Sequence, residues 1–220
     1  MAIPRHTFSA SLLGRAGLKL PFHTSKTAVS ARASAGYSTD RDAQTDDLEP
    51  PATRLTHVHP TDGSLTMVNV SAKPTTLRRA VARGRVQLHS AEAFRLVRTN
   101  ALAKGDVLTV ARIAGIQGAK LTPQLIPLCH PIALSDIQVR LKLNGRDEEG
   151  GVVEIEAQTE CADRTGVEME ALSAVAVAGL TVIDMCKSVA HAATLTDIRV
   201  VYKAGGRSGS YSEAPSDKEQ

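Results

Sequence analysis

Tryptophan is absent from the 220 residues, and with three tyrosines and three phenylalanines the aromatics make up only 3% of the chain. Proteins that bind single-stranded nucleic acid stack bases on exposed rings, so this scarcity argues against a nucleic-acid partner. No run approaches the roughly eighteen consecutive apolar residues that span a bilayer, and nothing points to a membrane partner. Cysteine is scarce as well. Cys129, Cys161 and Cys186 are odd in number and lack Cys-x-x-Cys spacing, so the sequence writes neither a disulfide framework nor a zinc ribbon. A reduced compartment is the simpler setting. Acidic residues are missing altogether from the first 39 positions.

What is present is ordinary in bulk: 42% hydrophobic, 22% charged and a net charge of +3. With so few rings, the core must be built from Ala, Val, Ile and Leu. The charge is unevenly spread. Arg5, Arg15, Lys19, Lys26 and Arg32 share the acid-free stretch with ten Ser and Thr residues. Basic, hydroxyl-rich and acid-free is the signature of an organelle transit peptide, the alternative being a plain basic tail. It is not a secretory signal, because Gly14 and Arg15 break Ser11-Leu12-Leu13 before an apolar segment forms. Asp40, Asp42, Asp46, Asp47 and Glu49 then reverse the sign within an acidic linker. The expected organisation is transit peptide and linker over 1–54, one folded domain over 55–211, and a polar tail over 212–220.

Within the domain, Ile137, Val139, Leu141 and Leu143 alternate with polar residues, as do Val153, Ile155, Ala157, Thr159 and Cys161. Both are half-buried strands, joined through Asn144–Gly151 as an antiparallel hairpin. Ile198, Val200 and Tyr202 mark another strand, and Arg83–Leu88 a further one. Ser90 caps a helix to about Ala103, and Asp106 caps another to Lys120. The longest helix runs from Val167 to about Ala190, with Leu172, Val175, Ala176, Gly179, Leu180, Ile183, Cys186 and Val189 at three-and-four spacing. One-sided strands beside long helices imply an α+β two-layer sandwich, helices on one face of an antiparallel sheet. The Ala-rich stretch 171–180 lets another backbone approach closely, which favours an oligomer.

Charge inside apolar surroundings marks the candidate chemistry. Glu168 and Glu170 fall in the first turn of the long helix, where acids complement its dipole. Asp184 and Lys187 lie three apart on one face, flanked by Val182, Ile183, Met185, Cys186 and Val189. An ordinary surface ion pair is the bland alternative. In partly dry surroundings such a lysine moves towards neutrality, as proton transfer requires. Glu170 and Asp184 are about 21 Å apart along a straight helix, so one small reacting centre cannot touch both. A site assembled from several chains reconciles them.

Ile126-Pro-Leu-Cys-His-Pro131 holds Cys129 and His130 between two prolines. Neighbours in extended backbone point to opposite sides, so a Cys–His nucleophilic pair is not expected, and His130 remains a lone acid–base or phosphate-contacting group. Lys203-Ala-Gly-Gly-Arg-Ser-Gly209 offers exposed N–H groups with Lys203, Arg207 and Ser208, either an oligophosphate cradle or a flexible basic tail. Lys104, Lys73, Arg78 and Lys120 complete a scattered cation set that points to a polyanionic small molecule.

Together these segments resemble a known family. Leu55-Thr-His57, Met67-Val-Asn-Val-Ser-Ala-Lys73, Lys104-Gly-Asp106, Ala111-Arg-Ile-Ala-Gly-Ile-Gln117 and Ile126–Pro131 appear in order. Thr165-Gly-Val-Glu-Met-Glu-Ala-Leu172, Asp184-Met-Cys-Lys187 and Lys203–Gly209 follow. The set closely resembles the cyclic pyranopterin monophosphate synthase (MoaC-type) family of molybdenum cofactor biosynthesis, across essentially all of Leu55–Tyr211. The resemblance implies a ferredoxin-like fold and a homohexamer built from dimers, with sites at subunit interfaces. It implies a cyclised GTP substrate, 3′,8-cyclo-7,8-dihydroguanosine triphosphate, supplied by a radical-SAM GTP 3′,8-cyclase. The implied products are cyclic pyranopterin monophosphate and diphosphate, made without metal or organic cofactor. Asp184 and Lys187 carry over as the central acid–base pair, with Lys104 and His130 as further catalytic residues. Glu168, Met169 and Glu170 carry over as contacts to the purine-derived part; Lys73, Arg78, Lys120, Lys203 and Arg207 as triphosphate contacts. A leader on such an enzyme implies the mitochondrial matrix. One position departs from the family's Met-Val-Asp-Val-Ser-Ala-Lys motif: Asn69 stands in place of its aspartate, keeping an acceptor but losing the charge. The rival from another class is a non-catalytic nucleotide-triphosphate-binding module using the same cations.

Overall fold

A computed structural model describes residues 57–58, 62–146 and 150–213. The leader and linker expected over 1–54 lie outside them, as does the tail beyond Glu213.

Five antiparallel strands form one sheet in the order β2-β3-β1-β4-β5: β1 Thr76–Gln87, β2 Asp136–Asn144, β3 Val152–Asp163, β4 Thr194–Ala204 and β5 Tyr211–Ser212. The expected hairpin is β2–β3, in register from Asp136 opposite Glu160 to Asn144 opposite Val152. Val153, Ile155, Ala157, Thr159 and Cys161 all face the core and are buried. β1 lies between β3 and β4 and is twice as long as the Arg83–Leu88 segment expected. Its inward positions before Val86 are Ala80, Ala82 and Gly84, too small to register as a hydrophobic alternation. The outward face carries arginines paired with acids, such as Arg83 Nε donating to Glu156 Oε2 at 2.9 Å and Arg85 beside Asp197 at 3.0 Å. Exposed pairs of this kind contribute little to stability; they keep that face polar.

Four helices accompany the sheet: α1 Ala91–Arg98, α2 Val107–Lys120, the single turn α3 Thr122–Leu125, and α4 Glu168–Cys186. They pack on one sheet face, giving the ferredoxin-like α+β sandwich. Asp106 caps α2 as expected, accepting from the Thr109 backbone N–H at 3.0 Å. α1 stops five residues short of Ala103. Thr99 Oγ1 donates to the Arg95 carbonyl, and Asn100 adopts a left-handed φ of 52°, which ends the helix.

α4 packs on β1, β3 and β4, with α2 beside it over β2. It has the length and apolar composition of a membrane span, but its apolar residues serve as core. The buried set is Ala171, Ala174, Val175, Ala178, Gly179, Val182, Met185 and Cys186, which shares only Val175, Gly179 and Cys186 with the stripe read from spacing; Leu180 is 59% exposed. A helix apolar nearly all round, covered on two sides, gives no unique periodic stripe. The α2–α4 crossing is close because of two glycines. A β-carbon at Gly115 would sit 2.9 Å from the Ala174 carbonyl oxygen, and one at Gly118 would sit 2.8 Å from Val177 Cβ.

The sheet also continues further than the sequence indicates. Ser212 belongs to β5, and the Arg199 guanidinium donates to both carboxylate oxygens of Glu213 at 2.8 and 3.1 Å. The first two residues of the expected tail are therefore structured.

Candidate active site

Two cavities meet at the start of α4. The larger, about 440 Å³, lies between the beginning of β1, the β3–α4 turn and the loop after β4. Lys73, Arg78, Arg79, Arg164 and Arg207 line it, a five-cation wall with Glu168 as its one carboxylate. The Arg78 guanidinium is fixed by donating to the carbonyls of Asp163 and Arg164, each at 3.3 Å. The Lys203–Gly209 loop folds over it. Gly205 and Gly206 have φ of +97° and +81°, and β-carbons there would run into the Leu77 carbonyl and the Arg78 guanidinium. Only glycine brings the backbone this close to the arginine. Thr76 also lines this cavity, and its Oγ1 is buried with no hydrogen-bond partner, a hydroxyl available to a ligand.

The smaller cavity, about 270 Å³, is lined by Val68, Leu128, Cys129, His130, Met169 and Glu170 among others. Lys73, Thr165, Gly166 and Glu168 border both cavities, which makes them two compartments of one cleft. Thr159 Oγ1, buried on β3, donates to the Val167 carbonyl at 2.9 Å and ties the start of α4 to the sheet. Val167 supplies no side-chain cap, so the positive end of a 19-residue helix opens on the cleft.

Glu168 and Glu170 differ sharply. Glu168 Oε1 lies 3.3 Å from Lys203 Nζ. Glu170 is 2% exposed and has no such partner among the described residues. Burial, and then the charge of Glu168, push its carboxyl up to about 7. Burial, followed by Glu170, also raises the Cys129 thiol, while Cys161 beneath is pushed up to about 11. Both shifts disfavour the thiolate, so neither thiol is primed as a nucleophile. His130 Nε2 is 2.8 Å from the Val68 carbonyl oxygen.

The other end of α4 carries a separate cluster. Lys187 Nζ donates to Asp184 Oδ1 at 2.7 Å, and Lys104 Nζ donates to Asp184 Oδ2 at 3.1 Å and to its carbonyl at 2.8 Å. Lys187, then Lys104, holds the Asp184 carboxyl below its ordinary value. The side chains of Asp184, Lys187 and Lys104 are 58%, 64% and 48% exposed, so a single subunit does not provide the partly dry setting expected for them. The apolar flanking residues Val182, Met185 and Cys186 point the opposite way, into the core.

Lys73, Arg78, His130, Glu168, Met169, Glu170 and Arg207 thus gather in the cleft, with Lys203 held at its edge by Glu168. Lys104, Asp184 and Lys187 gather about 24 Å along the helix from Glu168. Lys120, at the end of α2, lines neither cavity. Sequence reasoning missed Arg79, Arg164, Thr165 and His57. Arg164 carried a usable signal, a cation directly before a Thr-Gly turn into a helix, the same arrangement as Lys104-Gly105-Asp106. Asn69 lines neither cavity; its Oδ1 accepts from the Ser71 backbone N–H at 2.9 Å and from the Ser71 hydroxyl.

Fold and cleft together define an α+β sandwich with a cationic cleft at the uncapped start of its central helix, chemistry that suits a phosphorylated small molecule. The chain belongs to the MoaC family, whose model matches residues 67–206. A Thermomicrobium roseum protein named cyclic pyranopterin monophosphate synthase is 54% identical over 157 residues, covering 71% of this chain and 92% of the relative. A Streptomyces griseus protein of the same name is 54% identical over 158 residues, covering 72% and 85%. An Arabidopsis thaliana protein named cyclic pyranopterin monophosphate synthase, mitochondrial, is 51% identical over 159 residues, covering 72% of this chain and 57% of its own.

Proposed function

We propose that this chain converts (8S)-3′,8-cyclo-7,8-dihydroguanosine 5′-triphosphate to cyclic pyranopterin monophosphate with release of diphosphate, an early step of molybdenum cofactor biosynthesis. The carrying observation is the two-compartment cleft, one side cationic and the other lined by Met169, Glu170 and His130. The cationic side suits the triphosphate: Lys73, Arg78 and Arg207, with Lys203, neutralise charge that builds as diphosphate departs. The other side suits the purine-derived ring. Lys120 reaches a phosphate only if a neighbouring subunit's cleft abuts the end of α2.

Rebuilding the ring as a pterin needs repeated proton transfers. Lys187 acts as general acid, Asp184 orients it, and Lys104 shares the same carboxylate. These groups meet the ring only across a subunit boundary, since about 24 Å separates them from Glu168 within one chain. The assembly is a homohexamer built from dimers, and the exposed Val110, Ile113 and Leu180 of the helical layer are apolar surface for it to cover. A radical-SAM GTP 3′,8-cyclase supplies the substrate. The basic leader directs the chain to the mitochondrial matrix, in keeping with the name of the Arabidopsis relative.

Diphosphate release from the cyclised triphosphate tests the reaction; binding without turnover would leave a nucleotide-binding module instead. Subunit complementation tests the assembly. Lys187→Ala and His130→Ala should each be inactive alone, and co-expressed they should recover about a quarter of the sites by random pairing. No recovery in verified mixed oligomers would place each site within one subunit.

A further inference from the structure

Glu170 and His130 line the same 270 Å³ compartment, and the residues around them leave each with one free role. Around Glu170 stand Glu168 from its own helix, Cys161 from β3, Cys129 and His130 from the segment before β2, and His57 and Lys73 from the N-terminal segment. Lys203 is engaged by Glu168. Glu170 is thus a carboxyl that lines a cavity while almost wholly removed from water, with no ion pair among the described residues. A carboxyl so placed keeps its proton and presents an O–H.

His130 is constrained the other way. A carbonyl oxygen only accepts, so the 2.8 Å contact between His130 Nε2 and the Val68 oxygen requires the proton on Nε2. In the neutral ring Nδ1 then holds a lone pair. The compartment therefore offers one uncharged acid and, at Nδ1 of the neutral imidazole, one acceptor.

We propose that Glu170 is the proton donor of the smaller compartment and that His130, through Nδ1, is its complementary acceptor. This rests on the ring-rebuilding reaction proposed above and gives Glu170 a catalytic part beyond contacting the ring. As a ring C–N bond breaks, the electron pair goes to nitrogen and Glu170 supplies the proton to it. His130 Nδ1 takes a proton from the substrate N–H or O–H that attacks in the rebuilding step. One proton leaves the carboxyl and one arrives on the imidazole, so the compartment passes from two neutral groups to a carboxylate and an imidazolium. Return of one proton through solvent resets it, with no further reactant.

Infrared titration of the ligand-free full chain tests the acid. The protonated-carboxyl C=O band that Glu170→Gln removes is expected to persist to about pH 7. Loss of that band in the ordinary carboxylate range overturns the proposal. In turnover, Glu170→Gln can donate a hydrogen bond but no proton. It should lower kcat about 100-fold or more, the range of general acid catalysis, with KM within about 3-fold, and Glu170→Asp should recover part of kcat. A raised KM with unchanged kcat would make Glu170 a binding contact only and sink the proposal. His130→Gln, whose amide can keep the Val68 carbonyl paired, should lose kcat while holding its thermal midpoint; an unaltered kcat removes His130 as the base. If the wild-type chain turns over no cyclised triphosphate, the reaction assignment fails while the titration still decides the state of Glu170.

Discussion

Lys203 Nζ stands 3.3 Å from Glu168 Oε1, and a β-bulge in β4 puts it there. Val200 lies opposite Ala82 and Lys203 opposite Ala80, so β4 spends three residues where β1 spends two. The extra residue re-aims the strand. In a regular ladder Val200, Tyr202 and Ala204 would share the helix-facing side and Lys203 would face outward. Instead Lys203 faces the start of α4. Deleting Val201 should straighten β4 and turn Lys203 away. KM should then rise about tenfold, the loss of one charge-assisted contact, matching Lys203→Ala. Steady-state kinetics with circular dichroism as a fold check measures this, and an unchanged KM in a folded deletion variant would remove the bulge from site building.

Glu170 makes stability depend on pH in a definite direction. Its carboxyl is raised in the folded chain, from 4.5 to about 7, chiefly by burial. Between those values the folded state holds a proton that the unfolded state has released, so stability falls as pH rises through this window and levels off above it. Glu170→Gln should abolish that component and melt at a higher temperature than wild type at pH 8, with a smaller difference at pH 5. Thermal melts across the window decide it; parallel curves for the two proteins would contradict the assignment.

The crossing of α2 on α4 tolerates almost no added volume. Gly118→Val should destabilise by about 1–3 kcal/mol through overpacking against Val177 and the Ser173 carbonyl. Lys104 lies just before α2 and reaches Asp184 across this crossing, so turnover should fall as well. Chemical denaturation and kinetics on the same sample measure both.

Asn69→Asp should leave turnover within about 3-fold. The side-chain oxygen already accepts from Ser71, and an aspartate oxygen serves that turn equally. A large gain of activity would instead mean that the missing charge acts on substrate.

Legibility in the sequence followed the strength of local constraint. β2, β3 and the start of α2 were readable because alternation and an Asp cap are local signals, each settled within a few residues. β1 was half visible, because Ala80, Ala82 and Gly84 carry little hydrophobic contrast beside Arg79, Arg83 and Arg85. The buried face of α4 was read only in part, at Val175, Gly179 and Cys186, since coverage by both sheet and α2 is tertiary information. The separation of Glu170 from Asp184 needed only the helical rise. The joined cavities could not be seen beforehand, because they depend on the registers of β1 with β3 and β4 and on the β4 bulge. Those bring residues near 73, 130, 166 and 206 to one place.

The lack of tryptophan and the short β4–β5 pairing give the domain a built-in optical reporter. Tyr202 stands opposite Ser212 and Tyr211 opposite Lys203, so the two tyrosines bracket the glycine loop over the cationic cavity. Tyr37, the only other tyrosine, lies outside the described residues, so a chain trimmed to start at Leu55 emits from this hairpin alone. Diphosphate entering beneath the loop could then be followed by intrinsic fluorescence, with no label and no competing signal from the core.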